Sequence, residues 1–315
     1  MDKDECYRKQ REMKSAGLPK DISLPFLAYG FYKPNQLAYS TIKGYVFNKP
    51  KHITINYELN HINGMPVLEN KINPNSKVDA YMMEFKYAKQ ETAYKRIGYG
   101  KNKHVYKWEV INLSGQEVNV LMNAGDKSYP IYTDKWENYD WRDDPIFKYT
   151  ISYLDKNIDK LKEKLDGKFE DGPYLVDFET FIEVQSAYMV LWTALDRFLT
   201  FRYGDTKTWN VKKLSEEHFF KKSLTKNYNA LSKQEFYNDS LLNTAWEKTV
   251  FSAEDLEEYE LTPNKPTCSA LYYYTLRNNV VHAGKMMPEE LNIILNALLG
   301  LTEIFKDVLK EVTKQ

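Results

Sequence analysis

Short apolar runs separated by Gly, Pro and Asn fill the first half of the chain, at 24–29, 44–47, 53–59, 78–85, 106–113 and 118–122. Ile53, Ile55, Tyr57 and Leu59 alternate with polar neighbours, the period-two signature of a strand with one buried face. Leu113-Ser114-Gly115-Gln116 separates two such runs and predicts a hairpin turn. One helical patch, 90–97, interrupts the strands. Beyond residue 147 the period changes. Ile151, Leu154, Ile158, Leu161 and Leu165 recur at helical spacing among lysines and acids, which predicts an amphipathic connecting helix over 148–168, broken by Glu170-Asp171-Gly172-Pro173. The stretch 174–203 has no interior Gly or Pro, and its broad apolar face (Ala187, Leu191, Ala194, Leu195, Phe198) predicts a long bundle helix stopped by Gly204. Less regular helices are expected over 210–227 and 234–249, and two more over 268–283 and 288–313. The last starts well at Pro288-Glu289-Glu290, since proline suits the first turn and acids suit the positive end of the helix dipole.

The fold class that follows is α+β. A small mixed β-barrel-like domain occupies 1–147, its first twenty residues forming a charged, exposed arm; a linker helix covers 148–172, and an all-α helical bundle covers 173–315. A length of 315 residues suffices for two domains with separate cores.

Composition narrows the function classes. Hydrophobic residues at 43% and charged residues at 28%, no run long enough to span a bilayer, and no apolar core in Met1-Asp2-Lys3-Asp4-Glu5-Cys6 lead to the expectation of a cytoplasmic protein without a membrane partner. Cys6 and Cys268 are isolated, and the five histidines are scattered, so neither a disulfide framework nor a metal site is expected, and no cofactor is implied. The formal net charge is zero, so any contact with nucleic acid must be local rather than a property of the whole surface.

The chemistry concentrates in Leu276-Arg277-Asn278-Asn279-Val280-Val281-His282-Ala283-Gly284. Arginine supplies a fixed charge, asparagine a hydrogen-bonding amide and histidine a proton carrier near neutral pH, which together suit phosphodiester cleavage. Seven Arg and five His place an Arg followed by a His at this spacing roughly 0.3 times by chance, so the spacing alone carries little weight.

Two resemblances add context. Phe26-Leu27-Ala28-Tyr29-Gly30, Gly64-Met65-Pro66-Val67-Leu68, the run 78–85, the short helix and Tyr106-Lys107-Trp108-Glu109-Val110 resemble the gamma-glutamylcyclotransferase-like fold over about a hundred residues. The resemblance implies a binding loop at the Tyr-Gly turn and an acid/base glutamate after the short helix. That second position falls at Tyr99-Gly100 here, and no carboxylate lies between Glu91 and Glu109. A tyrosine is a poor general base at neutral pH, so the resemblance leaves Tyr29, Gly30, Phe31 and Tyr99 as candidates for binding a ligand or partner.

Leu191-Trp192-Thr193-Ala194-Leu195-Asp196-Arg197-Phe198 on one long helix, followed by the Arg277 to His282 motif on a later one, resembles the higher eukaryotes and prokaryotes nucleotide-binding (HEPN) superfamily of helical bundles. What this implies is a metal-independent endoribonuclease acting as a homodimer on RNA, a defence or toxin effector restrained through its N-terminal domain by a ligand or an antitoxin. In that reading His282 is general acid or base, Arg277 stabilises the phosphorane, Asn278 orients the phosphate or His282, and Asp196 holds Arg277. The other readings are a noncatalytic nucleotide-binding or oligomerisation module, and a small-molecule enzyme of cyclotransferase type.

Overall fold

The computed structural model describes residues 9, 12–62, 65–130, 141–165, 177–204, 207–232, 249–252, 257–283 and 288–313. The chain divides into two compact units, Met1–Asp143 with Phe198–Thr206, and Asp144–Arg197 with Lys207–Gln315. It is a mixed α+β protein with a sheet region first and helices after it.

In the first unit the strands are β1 (Phe26–Ala28), β2 (Lys51–Ile55), β3 (Tyr57–Ile62), β4 (Met65–Ile72) and β5 (Val78–Met83); then come α1 (Gln90–Tyr99), β6 (Tyr106–Leu113), β7 (Gln116–Asn123) and the short β8 (Tyr129–Pro130). They form two sheets where the sequence suggested something closer to a barrel. One has the order β2-β5-β1-β7-β6, the other β4-β3-β8. The alternating run at 53–59 is therefore two strands in different sheets, broken at Asn56. The hairpin turn is where the pattern put it: Leu113 pairs with Gln116, and Ser114 and Gly115 both have positive φ, at 54° and 91°, the geometry that matches strand twist.

Successive side chains of a strand face opposite ways, so β1 serves two layers. Leu27 joins Tyr29, Ile55, Leu68, Val78, Val118, Val120 and Met122 in one apolar core. Phe26 faces the other way, into an aromatic cluster with Tyr32, Phe85, Tyr94 and Trp108 whose ring centroids lie 6.0–6.3 Å from its own. Tyr94 comes from α1, which buries Ala93, Tyr94 and Ile97. Of the expected arm at 1–20, residues 1–8, 10 and 11 lie outside the described residues, and the rest is only partly exposed. Residues 12–14 face solvent, but Ser15 and Pro19 are buried, and Ala16 N–H donates to the Lys101 carbonyl at 2.8 Å. The contact needs Gly98, because a Cβ there would sit 1.8 Å from the Gly17 carbonyl oxygen.

The second unit contains α2 (Pro145–Leu165), most of α3 (Phe178–Tyr203), α4 (Lys207–Glu216), α5 (His218–Ser232), the hairpin strands β9 (Thr249–Ser252) and β10 (Glu257–Glu260), α6 (Pro266–Ala283) and α7 (Pro288–Thr313). The expected linker helix, α2, is a member of this unit: Phe147 meets Phe305 of α7 at 6.5 Å, and Asp155 pairs with Lys306 at 2.5 Å. The boundary thus falls at 143/144, and the last six residues of α3, 198–203, group with the first unit. There Phe201 stacks on Phe31 at 4.2 Å and the Arg202 guanidinium donates to the Leu37 carbonyl at 3.1 Å. Residue 249, expected in a helix, begins a strand instead; of that expected helix, 234–248 lies outside the described residues. The sequence pattern also missed the β9–β10 hairpin, since each arm has only four residues.

Proline at the first position of α2 follows Asp144, whose carboxylate accepts the Ile146 N–H at 2.9 Å as a helix cap. The same carboxylate takes two donors from Arg197, Nε at 2.9 Å and Nη2 at 2.6 Å.

Candidate functional site

The motif helix α6 is held by its buried residues Ala270, Leu271, Tyr272, Tyr273 and Leu276. Opposite it on α3, the Tyr188 hydroxyl donates to the Tyr273 carbonyl at 2.8 Å, and one turn later Trp192 meets Tyr274 edge to face at 5.8 Å. One turn beyond that lie Asp196 and Arg277. Tyr188, Trp192 and Asp196 are four apart and share one face of α3, along which they meet residues 273, 274 and 277 of α6.

The structure brings Asp196, Arg277 and Asn278 together. The Arg277 Nη2 is 3.7 Å from Asp196 Oδ2, and its Nη1 donates to Asn278 Oδ1 at 3.0 Å. The Arg277 side chain is 16% exposed, and its Nε is buried without a hydrogen-bond partner among the described residues. A guanidinium so placed is oriented by two side-chain oxygens and keeps donor capacity for an anionic oxygen. Asn279 is buried, so of the two asparagines only Asn278 stands beside the guanidinium with part of its surface open. His282 belongs to the last turn of α6, five positions after Arg277; its side chain, and Gly284 after it, lie outside the described residues. Val281, the residue before His282, is 44% exposed. Arg197, next to Asp196, donates to the Asp144 carboxylate.

In the first unit the resemblance-derived residues sit in packing contacts. The Tyr29 hydroxyl accepts the Leu68 N–H at 3.2 Å and donates to the Leu121 carbonyl, tying β1 to β4 and β7, and burial pushes its pKa well up. Gly30 has φ +68°, and a Cβ there would lie 2.6 Å from the Pro66 ring, so the Tyr-Gly turn is closed by a proline. Phe31 is buried under Phe201, and Tyr99 is half-buried at the end of α1.

Two features of this unit were not singled out from the sequence. An open cleft of about 380 Å³ is lined by polar groups including Glu58, Asn60, Glu69, Lys107 and Asn123. In it the buried Asn123 donates to Glu69 at 2.9 Å and the buried Asn60 to Ser128 at 3.1 Å. The second is Lys101, two residues beyond Tyr99. Its ammonium lies 4.8 Å from the ring centre of Tyr106, 5.1 Å from Phe31 and 5.5 Å from Tyr32, and burial lowers its pKa to about 8.

Lysine and tyrosine burial act on stability in adjacent pH windows. Between about 8 and 10.5 the unfolded chain holds the Lys101 proton that the folded chain has released, so stability rises with pH through that window. Tyr29, Tyr94, Tyr106 and Tyr188, with pKa values raised above 10.0 by burial, keep protons that the unfolded chain loses, so above pH 10 stability falls. Urea denaturation from pH 7 to 11 should show the rise and then the fall. In Lys101→Met the Lys101 contribution to the rise is gone.

Among the described residues, no group of three or more His, Cys, Asp and Glu side chains is placed to hold a metal ion, and no helix is long and apolar enough to cross a membrane. Family models, curated proteins and solved structures return no match to the chain.

Proposed function

We propose that the helical unit is an RNA-cleaving endonuclease of the HEPN type, in which a ribose 2′-OH attacks its own phosphorus. The observation that supports this reading most is the Arg277 guanidinium, set between Asp196 and Asn278 with little exposure, while Nη1 and Nη2 each carry a second N–H. Charge that develops on the phosphorane is stabilised by donors oriented before the reaction. Asp196 and Asn278 supply that orientation, so the role of Asn278 is to hold Arg277 rather than to hold the histidine. His282, on the same helix, carries the proton from the 2′-OH or to the departing 5′ oxygen, a task to which an imidazole is suited. The products are a 2′,3′-cyclic phosphate and a 5′-OH.

One Arg–His set supplies one histidine, whereas in-line transfer uses a base and an acid. A second copy of the chain would supply the other. Val281, exposed beside His282, gives such a pairing an apolar contact. The effector role in defence or growth arrest, and control of the nuclease by a ligand or antitoxin at the first unit, belong to the same proposal and rest on the resemblance alone.

The test is incubation of the purified full chain with total RNA in EDTA, with end-group analysis of the fragments. Cyclic phosphate termini made without divalent metal are the expected result. Intact RNA, or 3′-OH and 5′-phosphate ends, would count against the reading.

A further inference from the structure

Two lysines of the first unit have buried or caged ammonium groups, and their surroundings differ. The Lys33 side chain, 6% exposed, pairs with Asp79 at 2.9 Å. The Lys101 ammonium faces three aromatic rings and, among the described residues, has no carboxylate within ion-pair distance. Its own chain segment offers none either, since residues 92–108 contain no Asp or Glu. Desolvated charges are normally paired, because ring faces replace only part of the lost hydration.

The cage is built from well-separated parts. Phe31 and Tyr32 come from the turn after β1, Tyr106 opens β6, and Lys101 follows α1. Each wall is fixed from behind: Phe31 by Phe201, Tyr106 through its hydroxyl to the Pro66 carbonyl at 2.9 Å, and Tyr32 by its edge contact with Phe26. The lysine backbone is pinned as well, its N–H on the Gly98 carbonyl and its carbonyl on the Ala16 N–H. Lys101 as a whole is half-buried, and it is burial of its ammonium end that lowers the pKa. A fixed cation among apolar walls, with no carboxylate in ion-pair distance among the described residues, has the electrostatics of an anion receptor, because attraction strengthens where water is excluded.

We infer that Lys101, walled by Phe31, Tyr32 and Tyr106, is the anchoring cation of a binding site for a small ligand bearing a carboxylate or phosphate group. The site is separate from the Arg277 cluster and independent of the nuclease reading. Tyr32 and Tyr106 are the titratable groups facing the ammonium, and burial raises the pKa of Tyr106; toward acetate, which keeps its charge throughout this range, the protonation of Lys101 sets the pH dependence. The neutral amine has no charge to offer. Binding therefore weakens about tenfold per pH unit above about 8.

The experiment follows the lysine side-chain signals of the full chain by NMR during separate titrations with sodium acetate and sodium phosphate, from pH 6.5 to 9.5. A saturable shift of the Lys101 signals, fading above about pH 8 and accompanied by an upward move of the Lys101 pKa, is expected with at least one of the two anions. The anion that binds more tightly identifies the ligand's acidic group. Lys101→Met, which keeps the stem and removes the charge, should abolish saturable binding without lowering the melting temperature. Lys101→Arg should bind acetate with little pH dependence over the same range, and phosphate without loss above about pH 8, because arginine does not titrate there. Saturable binding that survives in Lys101→Met, no saturation by either anion in the wild type, or an Lys101→Arg affinity that still collapses above pH 8 would each overturn the assignment. If Lys101→Met fails to fold, the arginine profile and the wild-type titration still decide.

Discussion

Replacing Arg277 with alanine should slow RNA cleavage about a hundred- to a thousandfold, the usual loss when one preorganised donor to a developing oxyanion is removed. The magnitude follows from where the guanidinium sits. At 16% exposure, with one nitrogen on Asn278 and another near Asp196, it needs little reorganisation when the phosphorane forms, and alanine puts no donor in its place. Arg277→Lys should recover only part of the rate, since a single ammonium cannot serve Asn278, Asp196 and a phosphate oxygen at once. Removing the proton carrier in His282→Ala should cost about a hundred- to ten-thousandfold. Initial rates on a defined oligoribonucleotide in EDTA, with circular dichroism to verify folding, measure all three. An Arg277→Ala rate close to that of wild type would end the nuclease reading for this cluster.

The largest effect on stability is expected at Asp144, whose side chain is 1% exposed. Its carboxylate caps the first turn of α2 through the Ile146 N–H and holds Arg197 through two donors. Alanine removes both roles. Breaking a buried ion pair by deleting one partner costs about 3–5 kcal/mol, and loss of a helix cap about 1 kcal/mol, the two overlapping because they share one carboxylate. A loss of about 3–5 kcal/mol is expected in urea denaturation. Asp144→Asn keeps an oxygen for the cap while losing the charge, and should fall between alanine and wild type. If alanine costs less than about 1 kcal/mol, the pair contributes no more than an exposed one does.

Local chemistry was legible in the chain wherever it was self-contained. The β6–β7 hairpin is announced by Ser114-Gly115, and α7 begins at Pro288 as its first-turn residues suggest. What escaped depended on distant partners. Alternation from Ile53 to Leu59 runs on without interruption although the chain changes sheets at Asn56, because period two reports which face is buried and not which sheet buries it. The helix over 145–165 was read as a linker because amphipathic spacing does not reveal that Phe305 and Lys306 cover its inner face. In the candidate nuclease site, Asp196 was named beside Arg277 on resemblance, and the distance between them was beyond any spacing argument. Tyr29 is a binding candidate through the resemblance alone, and the bonds of its hydroxyl to β4 and β7 join strands that no spacing argument brings together. The Lys101 cage left no sequence signal, since its walls at 31, 32 and 106 meet only through the fold.

The division of α3 between the two units bears on modularity. The first unit is not a contiguous stretch of chain: Phe201 and Arg202 arrive from the far side of α2 and most of α3. A fragment ending near residue 147, where the hydrophobic period changes, keeps Phe31 and the Leu37 carbonyl but loses the ring and the guanidinium that cover them. Gene fusion or recombination at that point would not transfer a whole unit. The two halves, distinct as their architectures are, can be exchanged between proteins only if the end of α3 travels with the sheets.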